Sequence, residues 1–221
     1  MIARIMAAVA LLFLTPLPGA ATTLDWTRTV RPTPEGGRLV GNPAAKVKLV
    51  ELAAYTCPRC AYFAAEASAP LAQAIRAGKL AVELRPVVFD QIGLSAAIVA
   101  RCVPAQRFWA VNEALYARQP QWHAAAHAYA DQNAGELSRY AMLDQLQELA
   151  VKGGIAAAAG LTEAQATACF ASQPLIDGTL RATDAAGAIA PSTPTFLIGN
   201  QKYTGLTWAT LYPKLRAAGL N

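Results

Sequence analysis

Residues 46–60 read Lys46-Val-Lys-Leu-Val-Glu-Leu-Ala-Ala-Tyr-Thr-Cys-Pro-Arg-Cys60. Polar and apolar residues alternate from Lys46 to Glu51 and then give way to apolar ones, the pattern of a strand entering a covered sheet. The run ends at Cys57 and Pro58. Proline suits the first position of a helix, where its missing N–H is no loss. Residues 58–77 carry a helical pattern that Gly78 stops, and Pro70 is expected to kink or break it partway. Leu80 to Phe89 is the next strand, so a strand, helix, strand unit closes around residue 57.

That placement gives the two cysteines their chemistry. A thiol at a helix N-terminus lies near unpaired backbone N–H groups and the positive end of the helix dipole, which favours the reactive thiolate. Cys60 follows on the same face of the first turn, near enough to form a disulfide with Cys57 and to resolve a mixed disulfide. Arg59 adds a permanent cation inside the motif. A purely structural disulfide and half of a zinc site are the alternatives. Zinc would need two more Cys or His ligands at paired spacing, and Cys102 and Cys169 stand alone.

Outward from this unit, residues 22–45 form a turn-rich lead-in with Gly41-Asn42-Pro43 and an edge strand expected around Trp26 to Val30. Residues 93–187 are alanine-rich and helical in period, with helices expected over Leu94–Arg101, Ala105–Ala117, Glu136–Val151 and Thr162–Ala171. Thr162-Glu-Ala-Gln165 is a capping-box pattern. Sheet character returns at Thr195–Ile198, and the Gly199-Asn200 turn leads to Gln201–Thr204 as a hairpin. Thr207–Ala218 closes the chain as a helix that Pro213 should kink. The expected architecture is α/β: a sheet domain over residues 46–92 and 188–221, with an all-helical subdomain inserted at 93–187.

Composition narrows the function classes. With 221 residues, 54% hydrophobic and 15% charged, the chain has globular rather than disordered composition. Its net charge of +5 comes from 19 scattered Lys and Arg residues, with no basic run, so nucleic acid is not an expected partner. Residues 1–21 read as an export signal: Arg4, an apolar stretch from Ile5 to Leu14, then small residues Gly19 and Ala21 before a cleavage point at Thr22. The apolar run is about half the roughly 20 residues a membrane span needs. The expected mature protein is therefore periplasmic or otherwise outside the cytoplasm, where thiols can be oxidised.

Glu51-Leu-Ala-Ala-Tyr-Thr-Cys-Pro-Arg-Cys60, the helical stretch after it and Ser192-Thr-Pro-Thr-Phe196 together resemble the DsbA-like branch of the thioredoxin superfamily. The likeness covers about residues 33–218, including the Gly-Asn-Pro lead-in. It implies a thioredoxin-like fold and periplasmic thiol:disulfide oxidoreductase activity on unfolded secreted polypeptides. It also implies reoxidation by a membrane quinone-linked partner. Carried over by position, Cys57 is the attacking cysteine, Cys60 the buried one, and Pro58 and Arg59 lie between them. Thr193-Pro194 is the cis-proline loop that pairs with substrate, and Glu51 is the buried acid near the active site. No cofactor is implied, and a monomer is expected. Arg59 stands where the best-known oxidase of the family has His, and Thr193 occurs in isomerases as well as oxidases. The direction of electron flow therefore stays open between oxidase, isomerase and reductase. A metal-thiolate carrier or a holdase is the non-enzymatic alternative.

Arg85 is within one strand of Glu51, either as its buried partner or with both at the surface. Cys102 and Cys169 form the expected structural disulfide, as such a leftover pair usually does in an oxidising compartment and as some relatives show; two buried thiols are the alternative. His123 and His127, four apart with no evident third ligand, read as a solvated pair rather than a metal site. Phe108, Trp109 and Tyr116 read as helical core.

Overall fold

A computed structural model of the chain describes residues 24–221; the export-signal reading of residues 1–21 lies outside the described residues. The sheet has six strands: β1 (Val30–Pro32), β2 (Arg38–Gly41), β3 (Val47–Ala53), β4 (Leu80–Pro86), β5 (Thr195–Ile198) and β6 (Gln201–Thr204). Their spatial order is β1-β2-β4-β3-β5-β6. The central pair, β3 and β4, is parallel, and every other pairing is antiparallel. The helix α1 (Pro58–Arg76) is the crossover between the two parallel strands. Its buried residues Cys60, Phe63, Ala67, Leu71 and Ile75 recur at helical spacing and cover one face of the sheet. Phe63 meets Phe196 of β5 with ring centroids 4.6 Å apart. Burying one such side chain contributes about 1.5–3 kcal/mol, so this stripe docks the helix that carries the cysteines. Pro70 sits inside α1, which runs on to Arg76 without a break.

Eight helices lie between β4 and β5: α2 (Gln91–Cys102), α3 (Ala105–Ala117), α4 (Gln119–Gln132), α5 (Ala134–Leu137), α6 (Met142–Lys152), α7 (Ile155–Ala158), α8 (Glu163–Phe170) and α9 (Gln173–Gly187). A last helix, α10 (Trp208–Ala217), follows the β5–β6 hairpin and holds Pro213 within it. The architecture is a thioredoxin-like mixed sheet with a helical insertion. Its two sheet faces are covered differently. Leu49, Ala53, Val82 and Leu84 join the large core with α1 and the inserted helices. Leu52, Ala54 and Val87 form a smaller cluster with Ala186 of α9.

Residues 26–30 are not the expected edge strand, residues 136–151 are not one helix, and Arg85 is not the partner of Glu51. Trp26–Arg28 is a 3-10 turn, because Asp25 caps it by accepting from the Thr27 N–H at 3.1 Å. The lead-in instead supplies two strands, β1 and β2, and β2 pairs with β4. Arg85 does not pair with Glu51. Glu51 is the register partner of Leu84, whereas Arg85 is the partner of Leu52, so the two side chains leave the sheet on opposite faces. Arg85 is held by Glu83, two residues back on its own face, through Nε–Oε1 at 2.6 Å and Nη2–Oε2 at 2.9 Å, with Glu35 3.4 Å away.

Candidate active site

Cys57 is the N-cap residue of α1, with extended backbone (φ −83°, ψ 117°), and Pro58 opens the helix. Cys57 is half-buried and Cys60 fully buried, and both are free thiols. The Cys57 thiol is pulled down from 9.0 to about 5. Chief among the causes is a hydrogen bond from the Cys60 thiol. Burial opposes it, and the Thr193 side chain and the backbone N–H groups of Cys60 and Arg59 add to it. Arg59 is exposed, and its contribution runs through the main chain. Cys60 moves the other way: its proton is held by the Cys57 thiolate, in a buried setting with Glu51 nearby. The pair is thus one nucleophile and one protonated partner, the division of labour that thiol exchange needs.

Thr193-Pro194 is a cis peptide, and it lies against the cysteines: in its thiol form Cys57 donates to the Thr193 carbonyl, Sγ to O 3.5 Å. Thr195, just beyond, is fully buried and donates to the Ser192 carbonyl at 2.6 Å. Beside the loop a groove of about 300 Å³ opens, bounded by Pro58, Arg59, Tyr62, Pro194, Leu206 and Thr207. Tyr62 and, further off, Phe89 are large and exposed.

Glu51 is buried, and burial lifts its carboxyl from 4.5 to about 8, assisted by the neighbouring Glu113 carboxylate. Glu113 belongs to α3. Burial raises it too, while the Ser68 and Asn112 side chains favour its charged form by hydrogen bonding. Glu51, Ser68, Asn112 and Glu113 line one cavity of about 10 Å³, room for about one water. A second cavity of that size lies between Glu51, Tyr55, Arg101 and Asn112. There the buried Nε and Nη1 of Arg101 lack a hydrogen-bond partner within the protein.

Three residues that position the site carry no signal in the motif itself. Gln119, the first residue of α4, is buried and donates through Nε2 to the carbonyls of Tyr55 (2.6 Å) and Cys57 (2.9 Å). Asn112 accepts from the Tyr55 hydroxyl at 2.9 Å, and Tyr55 stacks on Tyr116 at 5.1 Å. Glu113 completes the set. The Gln119-Pro120 pair marks a helix start; nothing local marks Asn112 or Glu113. Cys102 and Cys169 form a disulfide with Cα atoms 5.6 Å apart. Among the described residues no three His, Cys, Asp or Glu side chains gather as a metal site.

Comparison with known proteins agrees with this geometry. A family model described as thioredoxin matches residues 33–215. A solved structure of a protein-disulfide isomerase from Novosphingobium aromaticivorans is 30% identical. The match covers 82% of this chain and 96% of that one, with a TM-score of 0.72. The alpha-DsbA1 of Wolbachia pipientis shares the fold at 21% identity, covering 85% of this chain and 92% of its own, with a TM-score of 0.63. BdbD of Bacillus subtilis does so at 16%, covering 85% and 95%, with a TM-score of 0.60. No curated protein matches the chain.

Proposed function

The chain belongs to the thioredoxin family, and from that premise we propose that it is a DsbA-like thiol:disulfide oxidoreductase, an exported oxidase that introduces disulfides into secreted polypeptides. The observation that carries this reading is the unequal thiol pair, with Cys57 drawn down to about 5 while Cys60 is pushed up. Whatever stabilises the reduced pair makes its disulfide the stronger oxidant.

The cycle starts from the Cys57–Cys60 disulfide. A substrate thiolate attacks the Cys57 sulfur, the bond to Cys60 breaks, and Cys60 leaves as a thiolate that takes up a proton. Glu51, protonated at neutral pH in its buried position, is the nearby acid. A second substrate thiolate then attacks the substrate sulfur of the mixed disulfide and expels the Cys57 thiolate. Two electrons have passed from the substrate to the pair. Of the two substrate thiol protons, one is retained on Cys60 and one goes to solvent. Pro194 and the adjoining groove offer the surface on which an extended polypeptide would lie. A membrane quinone-linked partner would accept the electrons and restore the disulfide.

Export is part of the proposal, on the strength of the signal-like residues 1–21. No helix among the described residues is long and apolar enough to cross a membrane. One observation favours a second reading: the 30% identical relative carries the name protein-disulfide isomerase. Equilibration of the Cys57/Cys60 pair with glutathione buffers tests direction. A potential more positive than about −180 mV supports the oxidase, and one near −250 mV indicates a reductase. Faster reshuffling of scrambled ribonuclease than oxidation of its reduced form would move the assignment to isomerase.

A further inference from the structure

The helix α4 begins at Gln119, which holds the active-site loop, and carries His123 and His127 on one face a turn apart. Thiol exchange uses neither. Their Nε2 atoms stand 3.3 Å apart, with ring centroids 4.5 Å apart and the planes at 80°. His127 is exposed and His123 half-buried, and Trp122 packs edge-on against His123 at 5.8 Å. Two charged imidazoles would repel one another at this distance. Burial and the His127 ring both hold His123 below its ordinary value, while the Asp90 carboxylate pulls the other way. The neutral pair has one ring N–H facing the other ring's lone pair.

That same spacing suits a shared cation. Ligand nitrogens about 2.0–2.1 Å from a tetrahedral ion stand about 3.3 Å apart, and those on a square-planar ion closer to 2.9 Å. Histidines at i and i+4 on a helix are a known way to present two such nitrogens from one face. Asp90 adds negative charge near His123; its Oδ1 is engaged by the Gly93 N–H at 2.6 Å, which fixes the carboxylate at the start of α2. The geometry points to a divalent-cation site of zinc class at His123 and His127, with both Nε2 atoms as ligands and water in the remaining positions. Binding takes both rings as the neutral Nδ1–H tautomer, so the proton between the rings moves by way of solvent to Nδ1 of the ring that carried it, with no net release. With two protein ligands the site is open and exchangeable rather than structural. It is independent of the thiol chemistry.

The test uses untagged full-length mature protein with both disulfides closed, so that no thiol competes for metal. Calorimetric titration with Zn²⁺ should show one equivalent bound. His123→Ala and His127→Ala should each weaken binding by roughly tenfold or more, since each removes one of two protein ligands. His127 is exposed and His123 half-buried, alanine is a good helix former at either position, and circular dichroism checks that the fold is kept. Nitrogen NMR of the imidazoles supplies a second readout: Zn²⁺ should shift Nε2 of both rings together. Absence of binding by the unaltered protein, unchanged affinity in both variants, or a shift confined to one ring would each overturn the proposal.

Discussion

Cys57 and Cys60 occupy the first turn of α1, one half-exposed and one buried, and are not bonded to each other; Cys102 and Cys169 are 67 residues apart and joined. The residue chemistry is identical, but the backbone around it differs. Cys57 stands at a helix N-terminus, where unpaired N–H groups favour a thiolate. Cys102 is the last residue of α2 and Cys169 the penultimate one of α8, at C-terminal ends where the dipole disfavours negative charge. In the proposed cycle the first pair exchanges electrons. The second closes a long loop and ties α2 to α8 within the helical region.

The largest effect that would break this contrast is a crossing of roles. Cys57→Ser should abolish oxidation of reduced ribonuclease, because the attacked sulfur is gone, while the Cys102–Cys169 bond remains. Replacing both Cys102 and Cys169 by alanine should keep that activity and lower the urea-measured unfolding free energy by about 4 kcal/mol, the loop-closure figure for a bridge of this span. Loss of exchange in the second variant, or its retention in the first, would erase the distinction.

The strand, helix, strand unit was legible because each of its signals is local: alternation along 46–51, proline after Cys57, glycine at 78. The hairpin at 195–204 was legible for a similar reason, since Gly199 adopts the positive φ (56°) that its turn requires. The helix over Ala105–Ala117 also stands where its apolar period put it. Helices α4 and α9 were missed. Both begin with a proline in the first turn and no capping side chain, and the alanine-rich sequence of α4 gives little contrast between faces. The stretch 136–151 read as one helix, yet the chain breaks between α5 and α6. There the Ser138 hydroxyl turns back to the Gly135 carbonyl at 3.0 Å, an alternative partner that competes with the helix. In the site, the motif residues were readable and their supports were not. Gln119, Asn112 and Glu113 reach the cysteines or Glu51 only after the inserted helices pack back on the sheet. Glu83 stands two residues before Arg85 on the same strand, but finding it as the partner in place of Glu51 requires the register.

Gln119 tests how far the helical region sustains the reactive pair. Gln119→Ala would leave the Tyr55 and Cys57 carbonyls without their side-chain donor, which costs about 1–3 kcal/mol in a buried setting. The expected result is a drop of that size in unfolding free energy, together with a Cys57 titration, followed by thiolate absorbance, that broadens or moves from about 5. An unchanged stability would mean that the loop holds its shape without the clamp, and the two regions would then be coupled less closely than the hydrogen bonds imply.

The smallest expected effect separates the two pairs by pH. In the disulfide form Cys57 does not titrate, and the bonded pair Cys102–Cys169 does not either, so the buried carboxyls can be observed without thiols. Glu51 holds its proton to about 8 in the folded chain and only to about 4.5 when unfolded. Between those values the folded state binds more protons, so this group's contribution is fully present below about 4.5 and is lost as pH rises to about 8. Reduction adds the opposite slope. Cys57 is depressed from 9.0 to about 5, so its contribution is present above about 9, fades as pH falls and is gone below about 5. The reduced form should therefore gain on the oxidised form as pH rises from 5 to 9. Glu113→Gln removes the carboxylate beside Glu51 and should let Glu51 release its proton at lower pH. The oxidised variant would then lose less stability between pH 5 and 8 than the unaltered protein, by on the order of 1 kcal/mol, the equivalent of about one pH unit. Urea unfolding of both oxidised proteins across that range measures it. Parallel profiles would assign the whole shift of Glu51 to burial and leave the helical region without an electrostatic part in the site.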